Sequence, residues 1–207
     1  MAQYIQIHPE NPQERLIQQA VNMLHEGAVI VYPTDSAYAL GCHMGDHKAL
    51  ERIRKIRELT QAHHFTLVCK DLKDLGTYAQ IDNSAFRMLK SLIPGAFTFL
   101  LKATREVPKR LLHTKRKTIG LRVPDNKISQ MLLAALGEPL MSTTLILPEQ
   151  TLPMVDPYDI QCALGSKVDL IIDGGNCGFE PTTVIDLIEW PPVLIRQGKG
   201  NASEYFE

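Results

Sequence analysis

Short apolar runs that stop at proline or glycine, alternating with segments of helical period, constrain this chain more than any other feature. Ala28-Val29-Ile30-Val31-Tyr32 is apolar, rich in β-branched residues and closed by Pro33, the pattern of a buried strand. Before it, Leu16, Ile17, Ala20, Val21 and Leu24 recur with helical spacing, which predicts a helix over Glu14 to His25 ended near Gly27. After it, Asp46 is placed to cap a helix running to about Glu58, and Phe65 to Cys69 reads as the next strand. Asp82 begins a helix that Pro94-Gly95 stops, and Ala96 to Lys102 and Thr118 to Val123 read as strands. Asn126 to Leu136 is helical up to Gly137, Pro139 to Thr144 is a strand, and Asp156 to about Leu164 is a helix. Strands at 168–172, 183–187 and 193–196 follow in close succession. Alternation in the first two thirds and clustered strands at the end predict an α/β protein with a mixed sheet and helices on its faces, not a purely doubly wound one.

At 207 residues, with no internal repeat, low-complexity tract or clear linker, the expected organisation is a single domain over 1–207. The 44% hydrophobic and 22% charged fractions are those of an ordinary globular protein. A net charge of −1 excludes a chain that is basic throughout, so any polyanion must be met by a local concentration of charge. One such concentration runs from Lys102 to Arg122 and includes Lys109, Arg110, Lys115, Arg116 and Lys117, opposed only by Glu106. No apolar run approaches the ~20 residues of a membrane helix, and Met1 to Gln6 lacks the features of a secretory leader. The four cysteines make no C-x-x-C pair, so free thiols in the cytoplasm are expected. Cys42, His43 and His47 lack the spacing of a zinc site, and no metal ligands are expected.

The chain contains no P-loop, G-x-G-x-x-G, G-x-S-x-G or H-E-x-x-H. Hydroxyl and cationic residues do stand near the ends of the predicted strands: Thr34, Ser36, Arg122, Ser142, Thr143, Thr144, Thr182, Thr183 and Arg196. In open α/β sheets ligands bind beyond strand ends, and such residues there suit phosphate or carboxylate groups. Turn and cap roles for the same hydroxyls, and surface ion pairing for the arginines, are the structural alternatives.

Taken in order, several segments resemble one family. Tyr32-Pro33-Thr34-Asp35-Ser36-Ala37-Tyr38-Ala39-Leu40-Gly41 resembles Y-P-T-[DE]-[ST]-x-Y-x-L-G, and Lys55-Ile56-Arg57 resembles K-x-R. Pro94 to Thr98, Gly120 to Pro124, Pro139 to Thr144, Asp173 to Gly175, Pro181 to Asp186 and Arg196 to Gly198 resemble the later motifs. The family is the YrdC/YciO-like proteins, the threonylcarbamoyl-AMP synthase superfamily, and the likeness spans about residues 14–198. It implies a twisted mixed parallel and antiparallel sheet, helices on its faces and a concave basic surface. It further implies synthesis of threonylcarbamoyl-AMP and pyrophosphate from ATP, L-threonine and bicarbonate, for modification of tRNA, with Mg2+ arriving on ATP and no tightly bound cofactor. Within that likeness Lys55 and Arg57 hold the triphosphate as catalytic residues. Arg122 clamps the threonine carboxylate, Thr34 and Tyr38 line the pocket, Ser142, Thr144 and Thr182 supply hydroxyls, and Arg196 joins the substrate-binding set.

The sequence also departs from the synthase pattern. Where the synthase branch carries S-x-N, this chain has Thr144-Leu145-Ile146, and an isoleucine side chain makes no hydrogen bond. Ser142 to Pro148 instead resembles the YciO-type branch. A second reading therefore stands beside the enzyme: a protein that binds double-stranded RNA, tRNA or ribosomes through Lys109, Arg110, Lys115, Arg116 and Lys117, by phosphate contacts and with little sequence preference. A third, a hydrolase, would need a base from among His43, His47, His63 and His64. The sequence defines no oligomeric state.

Overall fold

The computed structural model describes residues 1–60, 63, 65–108, 111 and 117–206. Its strands are β1 (Gln3–Gln6), β2 (Ile30–Tyr32), β3 (Ala39–His43), β4 (Thr66–Val68), β5 (Phe97–Lys102), β6 (Thr118–Arg122), β7 (Leu140–Thr144), β8 (Leu170–Asp173), β9 (Thr183–Asp186) and β10 (Val193–Arg196). Its helices are α1 (Glu14–His25), α2 (His47–Ile56), α3 (Leu72–Tyr78), α4 (Asn83–Leu92), α5 (Lys127–Leu136) and α6 (Pro157–Leu164). All ten strands belong to one sheet in the order β1-β8-β2-β3-β7-β4-β6-β5-β9-β10. Pairing is mixed: β1–β8, β2–β8, β4–β6 and β5–β9 are parallel, and β2–β3, β3–β7, β4–β7, β5–β6 and β9–β10 are antiparallel.

The helix ends follow their capping chemistry. The carboxylates of Asp46, Asp82 and Asp156 accept from first-turn backbone N–H groups of α2, α4 and α6, and the Asn126 amide oxygen does so for α5. Gly27 and Gly137 turn the chain out of α1 and α5 with positive φ, the region glycine enters without steric cost. Three elements differ from the sequence reading. β1 has the sequence Gln-Tyr-Ile-Gln and is mostly exposed at the sheet edge, so its residues carry no buried-strand pattern. β3 lies inside the motif at residues 32–41, where Gly41 interrupts the apolar run. α3 is a single short helix containing Gly76, with Leu75 its one buried residue.

Because strand side chains alternate between faces, the sheet has two cores. Ile30 and Tyr32 pack with α1 and α5 through Val21, Leu24, Ile128 and Leu132, while Val31 and Leu40 face the opposite layer formed by α2, α3, α4 and α6. α1 and α5 pack on each other and cover one face over the β1-β8-β2-β3 half. Further along the same face the floor is made of small and polar side chains, and a cavity of about 270 Å3 opens there. No helix of the described residues is long and apolar enough to cross a membrane.

Candidate functional site

The cavity floor is a consequence of strand periodicity. Thr66 and Val68 of β4, Thr98 and Leu100 of β5, Gly120 and Arg122 of β6, and Ser142 and Thr144 of β7 are two residues apart and line it together. The site thus lies on the sheet's face rather than only beyond strand ends, which corrects the sequence expectation. Thr143 breaks this period. It reaches the cavity where β7 ends, beside Arg57 and His63. Gly120 keeps the floor low: a Cβ there would stand 3.3 Å from Thr66 Oγ1 and 3.5 Å from Thr98 Cγ2.

Three guanidiniums face this space, those of Arg57, Arg122 and Arg196, and no carboxylate is among the described lining residues. Arg122 is buried and ion-paired with Asp35, whose side chain is equally buried. It also donates to Ser36 Oγ at 3.2 Å, while its Nε is buried without a partner among the described residues. The pairing fixes the guanidinium plane and uses two of its five N–H groups, on Asp35 and Ser36. Arg57 follows the last turn of α2. Its Nε donates to the Ile146 carbonyl and its Nη1 to Thr143 Oγ1, both at 2.7 Å. Arg196 donates from Nε and Nη2 to the Thr182 carbonyl. Burial lowers the pKa of Arg57 and of Arg196 below the ordinary guanidinium range, and both remain cations at neutral pH.

The other sequence-derived candidates fall into different places. Thr34 is not in the cavity wall: its Oγ1 donates to the Ala37 carbonyl and accepts from the Ser36 and Ala37 N–H groups, a turn role. Tyr38 lines the cavity, but its hydroxyl donates to the Gly175 carbonyl and accepts from Gly174 N–H, tying the Asp173-Gly174-Gly175 loop to β3. Burial raises the Tyr38 phenol well above its usual value. Ser142 Oγ is held between the Tyr32 hydroxyl at 2.8 Å and the Leu40 carbonyl at 3.1 Å. Thr182 shares a hydrogen bond of 2.8 Å with Thr98, and Thr144 is half-buried in the wall. Lys55 is exposed on α2 and is not among the lining residues. Lys109, Arg110, Lys115 and Arg116 lie outside the described residues. Lys117 precedes β6 with a positive φ.

Thr143 stood among the strand-end hydroxyls of the sequence reading, whereas Thr66 and Thr98 were missed as lining residues. No single-strand signal marks them, since they are brought together by pairing between strands far apart in the chain. Ile146, noted there as a departure, lines the cavity and also anchors Arg57 through its carbonyl.

Elsewhere, His25, His43 and Glu138 place possible ligand atoms within 4.8 Å of one another. His43 Nδ1 accepts from Gly45 N–H at 3.0 Å, so its proton is on Nε2, which donates to Glu138 Oε1 at 2.7 Å. In that tautomer neither nitrogen offers a lone pair to a cation, and the trio is a satisfied hydrogen-bonded pair beside an exposed His25.

The mixed sheet, with one half-face open as an arginine-lined cavity that has no carboxylate among its described lining residues, is that of an α/β protein, and the chain belongs to the Sua5/YciO/YrdC family. The matching family model, described as telomere recombination, covers residues 22–198. An uncharacterized protein of Haemophilus influenzae is 57% identical over 99% of this chain and 100% of its own length. The Escherichia coli protein YciO is 55% identical, and its crystal structure matches with a TM-score of 0.95 over 99% of this chain and 100% of that one. More distant is a threonylcarbamoyl-AMP synthase of Pyrococcus abyssi, 29% identical over 91% of this chain and 56% of the synthase. The crystal structure of P. abyssi Sua5 complexed with L-threonine matches at a TM-score of 0.87 over 95% of this chain and 58% of that one, at 26% identity.

Proposed function

We propose that this protein is an ATP-using nucleotidyltransferase of the threonylcarbamoyl-AMP synthase type, acting on L-threonine or a related amino acid. The observation that carries this reading is the cavity lined by three guanidiniums and no carboxylate, with the buried Arg122 Nε left for a ligand. A polyanion with a carboxylate-bearing co-substrate matches that chemistry. The likeness to a synthase, and to a Sua5 complexed with L-threonine, points the same way.

In this reading Arg122, oriented by Asp35 and Ser36, takes the amino-acid carboxylate. Arg57 and Arg196 meet the phosphates, with the hydroxyls of Thr98, Thr144 and Thr182 at the walls. Mg2+ enters as part of the ATP complex, since the described wall offers it no carboxylate and its ligands are phosphate oxygens and water. Bicarbonate takes up a proton and loses water to give carbon dioxide, and the amine nitrogen bonds to its carbon with loss of a proton, forming a carbamate. A carbamate oxygen then bonds to the α-phosphorus of ATP, the bond from that phosphorus to the bridging oxygen breaks, and pyrophosphate leaves. Positioning and charge neutralisation supply the acceleration in such transfers.

The test is incubation with ATP, Mg2+, bicarbonate and L-threonine, with mass spectrometry for threonylcarbamoyl-AMP and pyrophosphate. Threonine-dependent product, lost in Arg57→Ala and Arg122→Ala, is expected. ATP binding without product moves the search to other amino acids as acceptor. Absence of ATP binding overturns the nucleotide reading, and double-stranded RNA retention that falls steeply with salt would then favour the RNA-binding alternative.

A further inference from the structure

We propose that His63, acting through the Thr143 hydroxyl, is the general base that deprotonates the amino-acid amine in this cavity; the inference rests on the function proposed above. Its basis is an accounting of one oxygen. Thr143 Oγ1 accepts from Arg57 Nη1 at 2.7 Å and stands 3.2 Å from His63 Nε2. A hydroxyl has one hydrogen and two lone pairs, and a guanidinium only donates. One lone pair therefore belongs to Arg57. The arrangement that gives the hydroxyl hydrogen an acceptor sends it to Nε2, with the imidazole proton on Nδ1. The second lone pair is then left for a ligand in the cavity, which Thr143, His63 and Arg57 all line.

The surroundings hold this geometry in place. The edge of the His63 ring meets Phe65 at 5.5 Å with planes at 88°, and Phe65 is in turn covered by the Arg54 guanidinium at 4.9 Å. The backbone N–H of His63 donates to the Thr60 carbonyl at 3.1 Å. Thr143 is buried at the end of β7, where β3 fixes its register opposite Leu40. Imidazole is the side chain whose ordinary pKa suits proton transfer near neutral pH.

Such a base is needed because an amino acid enters as an ammonium ion, which has no lone pair for carbon dioxide. One ammonium proton passes to Thr143 Oγ1 as the proton of that oxygen passes to Nε2, leaving a neutral amine and an imidazolium. The nitrogen lone pair then forms the N–C bond to carbon dioxide, and the second proton leaves to solvent. Arg57, donating to the same oxygen throughout, stabilises the negative charge that develops on it during the transfer.

The deciding experiment follows threonylcarbamoyl-AMP formation against pH for wild type, His63→Gln, Thr143→Ser and Thr143→Val, with ATP affinity measured in parallel by calorimetry. For His63→Gln we expect a rate at least ~100-fold lower near neutral pH, the usual scale of general-base loss. Its ATP affinity should stay within about twofold of wild type. Its rate should recover toward wild type at alkaline pH, where the amine of threonine is already neutral. Thr143→Val should behave alike, and Thr143→Ser should keep most of the rate. A His63→Gln rate equal to wild type, or depressed by the same factor at every pH, overturns the relay while leaving the proposed function standing. A wild type that makes no product overturns both. Should His63→Gln fail to fold, 15N spectra of histidine-labelled wild type decide: an Nδ1–H tautomer whose Nε2 shift changes in Thr143→Val supports the relay, and an Nε2–H tautomer overturns it.

Discussion

The fate of a hydroxyl is decided by what its hydrogen meets, and the hydroxyls around this cavity divide on that ground. Thr34 has the composition of a ligand-binding residue, yet its hydrogen and both lone pairs are taken by the protein. Ser142 gives its hydrogen to the Leu40 carbonyl and one lone pair to the Tyr32 hydroxyl, so it keeps one lone pair, as Thr143 does. Residue type was legible in the sequence; the direction of each hydrogen bond was not, because it depends on partners such as Arg57 and Tyr32 many residues away. Arg122 was legible as a candidate site residue and lines the cavity, and Asp35, its ion-pair partner, sat unremarked in the same motif as Thr34. Asp35→Asn is expected to destabilise the fold by roughly 3–5 kcal/mol, the scale for breaking a buried pair by removing one partner. Urea denaturation followed by tryptophan fluorescence would read it as a lower midpoint with unchanged slope.

At the scale of elements, the helices with a full apolar period were the most legible: α1 was placed in full without a side-chain cap, while the short α3 escaped although Asp71 caps it. Asp46 and Asp82 cap where the sequence places caps, and Asn126 and Asp156, read as the first residues of their helices, are caps as well. The elements that escaped, β1, β3 and α3, draw their stability from tertiary pairing rather than their own pattern: β1 exists because β8 offers it an edge. Asp46 matters beyond its helix, since α2 carries Arg57 at its end. Asp46→Ala should cost about 1 kcal/mol, lowering the thermal midpoint. Gly27→Ala is strained by its positive φ, and a Cβ there would also lie 2.5 Å from Asp46 Oδ2. It should lower the thermal midpoint further than Asp46→Ala, measured in the same scan.

For the whole molecule, the largest shifts among the described residues fall on the alkaline side. Burial pushes the Tyr32 phenol and the Cys42 thiol up to about 12 and Cys177 up to about 11, and raises Cys69 as well. Each group keeps its proton in the folded state after the unfolded chain has lost it. Their contribution to stability is therefore complete below the unfolded thiol value of about 8.5 and declines as pH rises toward 12. Chemical denaturation at pH 7, 9, 10 and 11 in the presence of reductant should show a falling midpoint through this series. Replacing Cys42 with Ala should flatten the early part of that fall.

The open half-face of the sheet has one more consequence. Each strand beneath the cavity spells two interleaved texts: odd positions such as Leu67 and Leu121 are read by the helices below, and even positions such as Thr66 and Gly120 by whatever enters from above. Rewriting the upper letters that are not tied into the protein, as Arg122 is to Asp35 and Ser142 to Tyr32, alters the guest while the lower text stays in the same hydrophobic dialect, so one architecture is free to serve several small-molecule trades.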